Sequence, residues 1–140
     1  SWLWKLETIR RDTKSDTFTA FTGGVEYTFY NIFDSDLDVG VLAEYLFDDR
    51  NSESLASFEN DGLFGARFTW NDEQSSELLF GLIHDFSSND AGWSVEASRR
   101  IGNRWKVSLE ARFYNIKDKN SVLFPLRKDD YIQLEFMRYF

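Results

Sequence analysis

Thirteen ionisable side chains stand at alternate positions of segments whose intervening residues are mostly apolar. They are Lys5, Glu7, Glu26, Glu44, Arg67, Glu77, Asp85, Glu96, Arg100, Lys106, Glu110, Arg112 and Glu135. In an extended chain, successive side chains point to opposite faces, so this spacing gathers the charges on one side of a sheet. Eight of the thirteen are acidic and five basic. Enclosed in a dry interior, such groups must pair and hydrogen-bond, because a lone buried charge costs several kcal/mol. Facing water inside a channel, the surplus of carboxylates would instead attract cations.

Other chemistry is poorly provided for. His84, the only histidine, stands beside Asp85, but alternation sends its ring to the apolar face. Ser75 and Ser76 lie at the far end of its strand, and Ser87 and Ser88 fall in a connection. A hydrolase needs nucleophile, base and orienting group to converge, so no catalytic residue is expected. The run Asp34-Ser35-Asp36-Leu37-Asp38 starts like a calcium loop. Val39 then occupies the position that needs glycine, and Tyr45 the one that needs a carboxylate, so no metal site is expected and the run reads as an acidic turn. No motif for another cofactor is present.

Period-two alternation recurs along nearly the whole chain and predicts eight strands, at 2–10, 17–30, 37–48, 62–70, 76–86, 92–101, 105–116 and 131–140. Most are longer than the roughly 5 to 6 residues usual in globular proteins and match the roughly 9 to 11 that cross a bilayer at a tilt. The connections are too short for βαβ crossovers, so an antiparallel sheet in one domain, 1–140, is expected. Short connections follow the second, fourth and sixth strands, and the two longest follow the third and seventh. Long loops at one end and short turns at the other, with an even strand count, are the pattern of transmembrane barrels. The first residues already alternate, as expected of a processed or truncated start. The net charge of -8 argues against nucleic acid as a partner, since binding its backbone needs a basic surface. The absence of cysteine rules out disulfides and Cys-based metal sites.

Aromatic residues make up 18% of the chain, and their placement separates a soluble barrel from a membrane barrel. Trp2, Phe29, Trp70 and Trp105 fall at the short-turn ends of their strands, and Phe47, Phe86, Trp93 and Phe113 at the other ends. Two girdles of aromatics at the edges of an apolar band belong to a membrane barrel, whereas a soluble core places its largest rings mid-strand. Eight strands also enclose too little room for the apolar side chains, while Gly40, Gly65, Gly81, Ser94, Ser98 and Ser108 on the polar face fit inside. The apolar face is therefore expected outward. Of the polar outliers on it, Arg99 and Arg138 fall near the short-turn end, within reach of headgroups.

The last ten residues carry a more specific signal. Ile132, Leu134, Phe136, Arg138 and Phe140 alternate up to the final residue. This pattern resembles the C-terminal assembly signal of Gram-negative outer-membrane β-barrel proteins, with Arg138 standing where that family usually has an aromatic or apolar residue. Stretches such as GGVEYTFYNIFDSD, VLAEYLFDDR and RKDDYIQLEF also resemble the C-terminal part of larger, uncharacterised proteobacterial outer-membrane barrels. The resemblance implies recognition by the outer-membrane assembly machinery, with passage through periplasmic chaperones. The sequence thus leads to an all-β, eight-stranded antiparallel up-and-down transmembrane β-barrel in the bacterial outer membrane. It is either complete, with its last strand paired to its first, or a segment of a larger barrel. Expected functions are a structural scaffold or a narrow porin-like passive channel, without catalysis. Outer-membrane lipids and lipopolysaccharide are expected partners, the latter through Arg50, Lys117, Lys119, Arg127 and Lys128. The alternatives are a soluble lipocalin-like barrel with its apolar faces inward and an outer-membrane lipid-modifying enzyme built on His84. The apolar run Ser121 to Pro125 is unusual for an exposed loop and is expected to fold over the mouth or to extend the hairpin.

Overall fold

Val, Phe, Tyr, Trp and Thr recur along the alternating segments, and in a computed structural model each segment is a strand. The structure describes residues 2–12, 17–49, 60–119, 121 and 123–140. The strands are β1 (Trp2–Asp12), β2 (Thr17–Phe29), β3 (Leu37–Asp48), β4 (Asn60–Trp70), β5 (Ser76–Asp85), β6 (Ala91–Ile101), β7 (Trp105–Asn115) and β8 (Tyr131–Arg138). Each pairs antiparallel with the next, in the order β1-β2-β3-β4-β5-β6-β7-β8, to form a single up-and-down sheet.

The sheet is open, and this corrects the expected closure. β8 does not pair with β1, and both edge strands are exposed along almost their whole length. Alternation fixes which face a side chain takes, but closure depends on the stagger and tilt accumulated over all the strands, which no single segment encodes. The terminal strand is also shorter than expected. β8 ends at Arg138, beyond which only the Tyr139 N–H donates to the Arg104 carbonyl, at 2.7 Å.

The register keeps the two faces separate. One row passes from Lys5 through Gly24, Glu44, Leu63, Ile83 and Gly92 to Tyr114. The next row, on the opposite face, passes from Trp4 through Val25, Ala43, Phe64, Leu82 and Trp93 to Phe113. The sheet curls toward the polar side: Arg67 of β4 and Glu135 of β8 line one cavity of about 440 Å³. In a flat sheet those two strands would stand about 19 Å apart, four spacings of about 4.8 Å. The polar face is therefore concave and the apolar face convex.

Among the described residues, nothing packs on the convex face. Trp4 is 74% exposed, Leu6 76% and Ile132 68%, and among the described residues the buried apolar side chains are Ala91, Ala111 and Ile116. A hydrophobic core is absent from the described residues, so backbone pairing and contacts between neighbouring side chains within each face hold the sheet together.

Candidate functional site on the concave face

All thirteen ionisable residues singled out by alternation share the concave face, because the register carries them there strand by strand. Gly24, Gly40, Gly65 and Gly81 lie in the same rows, whereas Gly23 falls on the convex face. At Gly24 the small residue is required: an added Cβ would come within 2.5 Å of Glu44 Cγ and 3.1 Å of the Ala43 carbonyl oxygen. That room lets the Glu44 carboxylate reach across β2 to Lys5, whose Nζ lies 3.2 Å from its Oε1.

The charges pair less than a dry interior requires. Besides Lys5 with Glu44, the face holds one cluster among the described residues, in which Arg112 contacts both Glu110 and Glu96. Asp85 is engaged elsewhere: its Oδ1 accepts the Ser87 and Ser88 N–H groups at 2.7 and 3.1 Å, and its Oδ2 accepts the Ser88 hydroxyl at 2.8 Å. It shapes the β5–β6 turn rather than an interior network. Glu7, Glu26, Arg67, Glu77, Arg100, Lys106 and Glu135 make no ion pair among the described residues. Two like-charge pairs stand directly opposite one another in the β6–β7 register, Glu96 with Glu110 and Arg100 with Lys106. Directly opposed like charges destabilise a sheet unless water or a counter-ion separates them. Between these pairs lie Ser98 and Ser108, flanked in the same row by Glu77 and Glu135. The short serines leave the 440 Å³ cavity that this part of the face encloses.

The eight aromatics expected in girdles all lie on the convex side or directly continue it, at strand ends. At the short-turn end the Trp2 ring contacts Trp4 and Tyr27, with centroids 5.9 and 4.5 Å away, and Tyr27 contacts Phe29. Trp70 stacks on Phe68, and the Arg138 guanidinium lies over both Trp105 and Phe140, 5.5 and 5.0 Å from their centroids. At the other end Trp93 and Phe113 are direct cross-strand partners, and the Phe86 ring lies against Tyr45 and His84. His84 is held edge-on to Phe86 on the convex face, away from the concave cluster. Arg99 reaches Asp72 across the short-turn end, at 3.9 Å. The apolar positions of the terminal segment, Ile132, Leu134 and Phe136, form an exposed convex edge.

The acidic turn joins two turns of the sheet. Asp38 accepts the Asn31 N–H and an Asn71 side-chain N–H, both at 3.0 Å, and so ties the β2–β3 turn to the β4–β5 turn. At the long-loop end, Asp90 was not anticipated at all. It is 1% exposed, and its Oδ1 accepts the N–H groups of Lys117 and Asp118 at 2.7 and 3.4 Å. A short acidic residue just before a strand carries no signal of burial; only the fold brings the 116–118 backbone to it. Of the loop cations expected to meet lipopolysaccharide, Arg50 lies outside the described residues, and Arg127 folds back over the Phe124 ring. The run from Ser121 to Pro125, in which Val122 is outside the described residues, leads into a short 3-10 turn at Phe124–Leu126.

Comparison with known protein families, with curated proteins and with solved structures returns no match.

Proposed function

We propose that this sheet forms wall of a water-filled β-barrel in the bacterial outer membrane and acts as a passive, porin-like channel that prefers cations. The observation that carries this reading is the separation of the faces: an apolar convex side on which none of the described residues packs, and a concave side rich in charge. A lipid exterior and an aqueous interior satisfy both at once. The unpaired charges on the concave side favour water over a dry, self-neutralised filling. In lipid each unpaired N–H or C=O costs several kcal/mol, so the open β1 and β8 edges would be covered by further strands. That favours a barrel wider than eight strands. The terminal apolar-aromatic edge supports recognition by the outer-membrane assembly machinery. The lipocalin-like alternative needs the apolar face inside the curl, opposite to its observed side. An enzyme built on His84 would need a converging nucleophile on the convex face, where among the described residues the ring lies against Phe86.

The first test is folding into detergent micelles or liposomes, followed by gel mobility with and without boiling. A heat-modifiable band that requires detergent or lipid is expected, together with cation-preferring conductance in planar bilayers. Monodisperse, folded protein in plain buffer would overturn the membrane reading. A folded, inserted protein that never conducts would overturn the channel and leave a structural scaffold.

A further inference from the structure

Glu96 and Glu110 face each other directly across β6 and β7, with the Cβ separation of about 4.5 to 5.5 Å that such positions impose. Arg112 lies two residues along β7 on the same face. Its Nε is 3.0 Å from Glu110 Oε1, outside hydrogen-bond alignment, and its Nη2 is 4.0 Å from Glu96 Oε1. Tyr131, directly opposite Arg112 on β8, donates its hydroxyl to the same Glu110 oxygen. Glu110 is thus held from two sides, while Glu96 is held once and at the limit of contact. The three charged side chains are 34% to 50% exposed, and both glutamates line the 440 Å³ cavity.

We propose that this cluster sets the charge preference of the channel: Arg112 is a tethered cation that occupies the position a passing cation would take between the two carboxylates. The inference rests on the channel reading above and names the residues that determine its selectivity. Two glutamates and one arginine leave the cluster with a net charge of -1. A fixed charge at a half-exposed position acts on ions within a Debye length, about 8 Å at physiological salt. Removing the arginine exposes a bare dicarboxylate pair that draws cations more strongly. Neutralising both glutamates leaves a lone guanidinium that repels them.

Reversal potentials in a KCl gradient test this, for the wild type, Arg112→Gln, Arg112→Lys and the double variant Glu96→Gln/Glu110→Gln. The cation-to-anion permeability ratio is expected to rise several-fold in Arg112→Gln and to fall several-fold in the double variant. Arg112→Lys keeps the charge without the planar fork and is expected to stay near the wild type, which separates charge from mere packing. Heat-modifiable mobility checks that each variant folds; if Arg112→Gln does not, the double variant carries the test alone. Conducting variants whose ratio stays at the wild-type value would overturn the role of the cluster while leaving the channel standing. A folded, inserted wild type that does not conduct would overturn both.

Discussion

At the residue scale, aspartates at the sheet ends act through their acceptor oxygens on neighbouring backbone. Asp72, in the β4–β5 turn, accepts the Ser76 N–H at 2.9 Å on one oxygen and the Ser76 hydroxyl at 2.8 Å on the other. These bonds, aided by the nearby Arg99 charge, hold its carboxyl below the usual aspartate range, the Ser76 backbone bond acting most strongly. The folded value thus lies below the unfolded one. The stabilisation is complete above the unfolded value, near 3.9 for aspartate, and is lost as pH falls through the folded value. A carboxyl-carbon NMR titration of Asp72 in micelles is expected to show a midpoint below that of an exposed aspartate. Replacing Ser76 by Ala leaves the backbone bond and is expected to return the midpoint only part of the way. A wild-type midpoint at the ordinary value would refute the assignment.

At the element scale, the strands and their faces were legible, and the contacts that fix loops and edges were not. β3 runs from Leu37 to Asp48 as alternation placed it, and the other strands differ by at most two residues at either end. Period two is a strong local signal wherever one face is apolar and the other polar, as in the Trp105–Asn115 strand. Asp85 stands at a charged alternate position yet serves a turn, because its choice of partner depends on where Ser87 and Ser88 fold. Asp90 is the clearest case. Its carboxylate anchors the start of the β7–β8 loop to the β5–β6 turn, and at the other end of the loop Asp130 accepts the Tyr114 N–H at 2.8 Å. Asp90→Ala removes the acceptor of the Lys117 N–H, a cost of about 1 to 3 kcal/mol. The loss of a carboxylate whose Oδ2 has no partner among the described residues offsets part of it. Expected results are a lower unfolding midpoint and faster tryptic cleavage after Lys117 and Lys119, with β-sheet circular dichroism unchanged. Cleavage at the wild-type rate would show that the loop holds its place without Asp90.

At the scale of the whole molecule, the open sheet is the feature that local pattern could not supply and that matters most for function. A barrel of eight strands leaves an interior just wide enough for side chains, and the unpaired Arg67, Glu77, Lys106 and Glu135 would then be forced together. An open sheet leaves the cavity that they line accessible to water, so closure and charge pairing are two aspects of one property. Spin labels read this directly. Glu7 on β1 and Gln133 on β8 both lie on the concave face at the free edges, while Ser98 and Ser108 are directly opposite on β6 and β7. With labels at Glu7→Cys and Gln133→Cys in lipid, pulsed electron resonance is expected to give a separation well beyond that of the Ser98→Cys/Ser108→Cys pair, whose strands are one spacing apart. If the two separations matched within a single chain, the edges would meet in the membrane. The charged face would then be a packed filling rather than the wall of a pore, and the case for conduction would lose its physical basis.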